Sequence, residues 1–145
     1  MRQILTALVL LATAAAANAQ EGLSVADVFG GRYHDRAGVR ETMISGGSLA
    51  AHKLTVYRSL SFDNPDAADI ALVERAVKQD GARATDREVQ LRGGRLYYGF
   101  YALPRHNSKN RYLLYLNQLA AGGDKLLVIY LEGYATAEQV KKMLK

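Results

Sequence analysis

Polar and apolar residues alternate along residues 53–62, a pattern typical of a β-strand with one buried face. Arg58 is the single polar interruption of the apolar face. Residues 38–45 alternate more weakly and form another predicted strand, which ends at Gly46-Gly47. The predicted apolar face of the strand at residues 53–62 carries Leu54, Val56, Leu60 and Phe62.

A β-hairpin is predicted in the second half of the chain. Residues 88–92 and 95–101 flank Gly93-Gly94, and two adjacent glycines favour a two-residue hairpin turn. Such a turn fixes which residues face each other across the hairpin. It predicts two pairs on one face: Leu91 opposite Leu96, and Val89 opposite Tyr98.

Two further strands are predicted at residues 111–117 and 125–132. Both segments are apolar at nearly every position, which is typical of central strands covered on both faces. The chain therefore predicts six strands, and the short loops between consecutive strands favour an antiparallel meander.

Three short helices accompany these strands. The first is predicted to begin at Ser24, which together with Asp27 has the spacing of a capping box, and to end at Gly30-Gly31. The second is predicted to begin at Asn64-Pro65, with Asn64 as the cap, and to end at Gly81.

The third helix is predicted to begin at Thr136, which forms a capping box with Gln139. The order of elements is then α-β-β-α-β-β-β-β-α. This order predicts a single α+β domain over Gln20–Lys145, with helices packed on an antiparallel sheet of six strands.

The first nineteen residues have the layout of a secretory signal peptide. A positive start, Met1-Arg2, precedes an apolar run over residues 4–17 and a small-x-small site at Ala17-Asn18-Ala19. We expect cleavage after Ala19 and export to the periplasm or the exterior, with no transmembrane segment in the mature chain. The chain has no cysteine, so attachment of a lipoprotein lipid at the cleavage point is excluded.

Parts of the mature chain resemble small exported proteins of gut-dwelling Gram-negative anaerobes that are classed as domains of unknown function. The resemblance covers most of the mature chain and implies an envelope location and a non-enzymatic role. That group has no established activity, so it assigns no catalytic or binding residue. The residues that carry the resemblance are Val28-Phe29, Tyr33, Gly38-Val39 and residues 57–60 and 128–133.

Composition narrows the kinds of chemistry to consider. A chain without cysteine has no disulfide, thiol nucleophile or thiolate metal site. Its three histidines, His34, His52 and His106, lack the spacing of a metal site, so we predict neither metal nor cofactor. No serine, histidine and acid have the arrangement of a nucleophilic site, so we predict that the protein is not an enzyme.

The formal net charge of +5 at pH 7 suggests an anionic partner. Export argues against nucleic acid, because the anions of the envelope are lipid phosphates, lipopolysaccharide and acidic glycans. Successive loops of a meander alternate between the two ends of the sheet, so one end collects several basic residues. We predict an anion or glycan site there, formed by Arg83, Arg105, His106, Lys109 and Arg111.

Tyrosines suggest a second candidate surface. Tyr97 and Tyr101 share a predicted hairpin face, and a plausible register of the next strand places Tyr115 beside Tyr97. A row of aromatic rings on an open sheet face can stack on sugar rings or form a protein interface.

Taken together, the sequence predicts an exported envelope protein that binds another envelope protein or a glycan. Binding would use the basic end of the sheet or strand addition at an exposed sheet edge. Two alternatives remain open at this stage: a periplasmic hydrolase with a dispersed active site, and a chaperone-like envelope component. A pocket with a perturbed acid would favour the first, and an apolar groove would favour the second.

Overall fold

The computed structural model describes residues 22–144. The predicted signal peptide and its cleavage after Ala19 lie outside the described residues. The described part contains six strands and three α-helices in the predicted order. In chain order the elements are α1 (Val25–Phe29), β1 (Val39–Ser45), β2 (Leu54–Asp63), α2 (Ala67–Gly81), β3 (Asp86–Arg92), β4 (Arg95–His106), β5 (Lys109–Asn117), β6 (Lys125–Gly133) and α3 (Ala137–Met143).

All six strands form one antiparallel sheet in the order β1-β2-β6-β5-β4-β3. Strands β3 to β6 form a continuous meander, and the β1–β2 hairpin joins it through the pairing of β2 with β6. The predicted α+β fold is therefore confirmed. Strands β5 and β6 lie in the middle of the sheet, as their apolar sequences predicted.

Each face of the sheet has its own core. Helices α1 and α2 cover the first face, and α3 together with a short 3₁₀ helix, Gly47–His52, covers the second. The first core includes Val28, Phe29, Val73, Val77, Leu113, Tyr115, Val128 and Tyr130. The second core includes Leu49, Leu54, Phe100, Tyr112, Leu131 and Val140.

Two β-bulges change the faces that simple alternation predicts. Leu54 pairs with Gly133 while Val56 pairs with Glu132, so Thr55 is an extra residue in β2. Leu54 consequently packs in the second core, whereas Val56 packs against the first. The prediction that the two side chains share one face of the strand is therefore wrong. A bulge inserts one residue into one strand and reverses the alternation beyond it.

The second bulge lies at Tyr97 in β4. The predicted pair Leu91–Leu96 is confirmed, but Val89 lies opposite Gly99 and not opposite Tyr98. The extra residue places Leu96 in the first core and Tyr98 against the second, so the predicted shared face is wrong.

Strand β4 also runs past its predicted end, from Tyr101 to His106. It contains Pro104, which cannot donate a backbone hydrogen bond. Pro104 lies beyond the last β3 partner, Ala102, and within an irregular stretch of the β4–β5 register. Proline is tolerated at such positions because no neighbouring strand requires its N–H.

Helix starts are correctly predicted only in part. The capping box of Thr136 and Gln139 at α3 is confirmed. Helix α2 is capped by Asp66, whose side chain accepts from the Asp69 N–H, so the prediction of Asn64 as the cap is wrong. The Ser24 side chain makes no capping hydrogen bond at α1, so the predicted box with Asp27 is wrong too.

The Tyr101 ring is held between two glycines. A Cβ added to Gly81 at the end of α2 would lie 2.6 Å from Tyr101 Cε1, and one added to Gly99 would lie 2.7 Å from the Tyr101 hydroxyl oxygen. The ring therefore lies along its own strand and fills the space between β4 and α2. Only residues without a Cβ permit this packing.

We expect Gly99→Ala to lower the free energy of unfolding by about 1–3 kcal/mol, because the new methyl group overpacks the Tyr101 ring. Urea denaturation measures the change. Gly47→Ala is the matched control, since a Cβ at Gly47 meets no atom within 4 Å. Equal stabilities of the two variants would show that the ring moves aside without cost.

Candidate functional site

A cavity of about 380 Å³ lies at one end of the sheet, where β4 ends and β5 begins. The end of α2 and the segment before α1 complete its wall. Its lining residues are Gly22, Leu23, Asp80, Arg83, Pro104, Arg105, His106 and Arg111. Four of the five residues of the predicted basic site therefore lie around one cavity. The fifth, Lys109, is opposite His106 across the β4–β5 turn and is not part of the lining.

Asp80 fixes one wall of the cavity. Its carboxylate is fully buried and accepts hydrogen bonds from the backbone N–H groups of Ser24 (2.7 Å) and Val25 (2.9 Å). These groups belong to the start of α1, where helical N–H groups have no partner inside the helix. The Asp80 carboxylate therefore accepts hydrogen bonds at the start of α1, where the Ser24 side chain forms no capping hydrogen bond.

Arg83 adds a second link to the same segment. One guanidinium nitrogen donates to the Gly22 carbonyl at 2.9 Å and lies 3.9 Å from the Asp80 carboxylate. The side chain is 62% exposed, so it remains accessible to a bound group. The segment Gly22–Leu23 is thus held at the cavity from two directions.

Arg105 is positioned by the tight turn between β4 and β5. The two turn residues, Asn107 and Ser108, both have positive φ, as a type I′ turn requires. The Arg105 guanidinium donates to the Ser108 carbonyl at 2.8 Å and is exposed to solvent. The turn therefore holds the Arg105 guanidinium at the cavity.

Arg111 differs from the other two arginines because it is buried. Its Nε donates to the Tyr130 hydroxyl at 2.9 Å, and this hydroxyl donates to the Glu132 carboxylate at 3.0 Å. Nε of Arg111 lies 3.9 Å from the same carboxylate oxygen. Burial raises the pKa of the Tyr130 phenol, which keeps the hydroxyl protonated as a donor to Glu132.

A second buried arginine lies beside this group. Arg58 faces Tyr130 in the register of β2 and β6. Its guanidinium donates to the Phe29 carbonyl at 2.6 Å and to the Glu41 carboxylate at 3.2 Å. Burial lowers the pKa of Arg58, and the Glu41 charge opposes that shift. Among the described residues, the first face of the sheet thus carries two buried arginines, each near one carboxylate.

These arrangements make the cavity cationic. Three arginines line it, and Asp80 is its single lining carboxylate. Guanidinium groups bind carboxylates and phosphates through paired hydrogen bonds. Within residues 22–144, no group of three or more histidines and acids could hold a metal ion.

The three tyrosines of the predicted aromatic surface do not form a row. Tyr115 lies opposite Gly99 and is fully buried, and Tyr101 is buried beneath α2. Tyr97 is half-buried, with the Arg92 guanidinium 4.5 Å above its ring. In the β4–β5 register Tyr115 pairs two residues beyond Tyr97, and the irregularity of this register lies between Leu103 and His106, so the predicted place of Tyr115 beside Tyr97 is wrong.

Sequence reasoning identified the basic side chains of the cavity but missed its acidic supports, Asp80 and Glu132. Glu132 had a recognisable signal, since it is a charged residue in an otherwise apolar central strand and lies opposite Arg111. Asp80 had none, because nothing in the local pattern relates it to Ser24, more than fifty residues earlier in the chain.

Comparison with protein families places most of the chain in one of them. The sequence model of a family of unknown function (DUF6108) matches residues 12–144. No curated protein and no solved structure matches the chain. Among the helices of residues 22–144, none is long and apolar enough to cross a membrane.

We expect Asp80→Ala to lower the free energy of unfolding by about 2–4 kcal/mol. The substitution removes a charged acceptor from two backbone N–H groups, and hydrogen bonds to charged groups are the stronger class. Urea denaturation measures the change. Asp27→Ala in the exposed first turn of α1 is the control, and we expect a change within about 0.5 kcal/mol. A small effect at Asp80 would mean that α1 is held by its apolar contacts alone.

We expect Tyr130→Phe to lower the free energy of unfolding by about 1–3 kcal/mol, since it leaves Arg111 and Glu132 without the hydroxyl that joins them. Tyr134→Phe is the control, because Tyr134 is 60% exposed. Equal stabilities of the two variants would show that Arg111 and Glu132 pair directly when the hydroxyl is removed.

Proposed function

The chain belongs to the family of unknown function DUF6108, and since this family assigns no activity, we propose that the protein is an exported binding module for an acidic envelope glycan. The observation that carries the proposal is the cavity lined by Arg83, Arg105 and Arg111 with one carboxylate. We propose that the anionic group of a sugar residue binds among these three guanidinium groups.

The size and lining of the cavity support a sugar as the ligand. A volume of about 380 Å³ lies at the lower end of the range of small-molecule sites, about 300–1,000 Å³. Leu23 and Pro104 add apolar surface to the wall, which suits the carbon face of a sugar ring. The arginines supply donors for a carboxylate or phosphate substituent.

The three arginines have different parts in this proposal. Arg83 and Arg105 are exposed and provide the adjustable contacts. Arg111 is buried and oriented by Tyr130 and Glu132, so it provides a fixed contact at the base of the cavity. A site with one buried and two exposed cations accepts related acidic sugars without a separate pocket for each.

The single carboxylate of the cavity favours a binding role without catalysis. Glycoside hydrolysis commonly uses two carboxyl groups on opposite sides of the scissile bond. Asp80 is the single lining carboxylate, and both of its oxygens accept backbone N–H hydrogen bonds. A carboxylate occupied in this way is poorly placed to act as an acid or a nucleophile.

The proposal is tested by titrating the protein with polygalacturonate at about 0.15 M salt, where the screening length is about 8 Å, and following the heat of binding. We expect the double variant Arg83→Gln, Arg105→Gln to bind at least tenfold more weakly, because it loses two charged contacts. Methyl-esterified polygalacturonate has the same sugar backbone with most charges removed, and we expect no measurable binding.

The matched control is Arg75→Gln, Lys78→Gln on the outer face of α2. It removes the same net charge from exposed positions away from the cavity. We expect its affinity to stay within about twofold of the wild type, since exposed distant charges are screened by salt. An equal loss in both double variants would mean that net charge alone attracts the polymer. That result, or no binding by the wild type to any acidic glycan, would overturn the proposal.

A further inference from the structure

Strand β3 is an edge of the sheet and is uncovered along its whole length. All seven residues from Asp86 to Arg92 are exposed, on both faces of the strand. The edge includes two large apolar side chains, Val89 (45% exposed) and Leu91 (62% exposed). Edge strands present unpaired backbone N–H and C=O groups that can pair with another strand.

The charges of β3 are complementary to those of a second copy of the same strand. Consider two β3 strands paired antiparallel with Val89 opposite its own counterpart. This register uses all seven residues and places Asp86 of each copy opposite Arg92 of the other. It opposes no like charges, and like charges directly opposite each other destabilise a sheet. The remaining pairs in this register are Arg87 with Leu91, and Glu88 with Gln90.

Asp86 and Arg92 form no salt bridge within residues 22–144. Arg92 lies opposite Arg95 at the tip of the β3–β4 hairpin, so two like charges face each other there. The Arg92 guanidinium lies 4.5 Å from the centre of the Tyr97 ring, and Asp86 attracts Lys141 without forming a close ion pair with it. Glu88, in contrast, already pairs with Lys141 of α3 at 2.7 Å. A carboxylate from a second copy would offset the repulsion at the hairpin tip.

We propose that the protein forms a symmetric dimer through antiparallel pairing of the two β3 strands, centred on Val89. Closed twofold symmetry is the commonest arrangement of homo-oligomers, and a self-complementary patch is what it requires. The pairing would join two six-stranded sheets into one continuous sheet and cover Val89 and Leu91. This inference goes beyond the proposed glycan binding and does not depend on it.

Sedimentation velocity over a range of protein concentrations tests the dimer. We expect the wild type to dimerise, and Asp86→Arg or Arg92→Asp alone to raise the dimer dissociation constant about tenfold or more, because each creates two like-charge pairs. An equimolar mixture of these two variants should form heterodimers, since both cross-strand pairs are then complementary. The double variant Asp86→Arg, Arg92→Asp should dimerise like the wild type.

Recovery in the mixture also shows that each single variant is folded, so a loss of dimer cannot be ascribed to unfolding. Ile44→Lys is the control on the opposite edge strand, β1, where Ile44 is 38% exposed. It should leave dimerisation unchanged. A monomeric wild type at all concentrations would overturn the proposal. So would a dimer that Ile44→Lys weakens and the charge reversals do not, since its interface would lie on β1.

Discussion

The buried carboxylate of Asp80 is the constraint on which the cavity depends. It lies near the end of α2 and accepts the first backbone N–H groups of α1, two elements far apart in the chain. A buried charged group must be satisfied by hydrogen bonds, so the position of α1 on the sheet is specified by polar contacts as well as by apolar packing. The wall at Gly22 and Leu23 follows directly from this attachment.

Arg111 and Glu132 show how the sheet holds charges in its interior. They lie opposite each other on the two central strands, and Tyr130 joins them through its hydroxyl. Burying such a pair costs desolvation energy, and good geometry offsets much of that cost. The result is an arginine whose direction is set by the sheet itself. A surface arginine without hydrogen-bond partners, by comparison, keeps many rotamers.

The sequence predicted most elements because their signals are local. Alternation identified β2, continuous apolar runs identified β5 and β6, and Thr136 with Gln139 identified the start of α3. A meander brings alternate loops together, and four of the five residues of the predicted basic end lie around one cavity, which the sequence did not predict. The bulges at Thr55 and Tyr97 were not predicted either, since one inserted residue leaves no mark in composition and still reverses the faces beyond it. The Asp80 contact was missed because it is set by tertiary packing.

The packing of Tyr101 between Gly81 and Gly99 has a consequence for how this family evolves. With the large ring in place, neither glycine can acquire a side chain without overpacking, so we expect selection against side chains at both positions. A smaller residue at position 101 releases both positions, and alanine at either then fills the vacated space. These three positions should therefore covary among DUF6108 sequences, and a lineage that loses the tyrosine should lose the glycines soon afterwards.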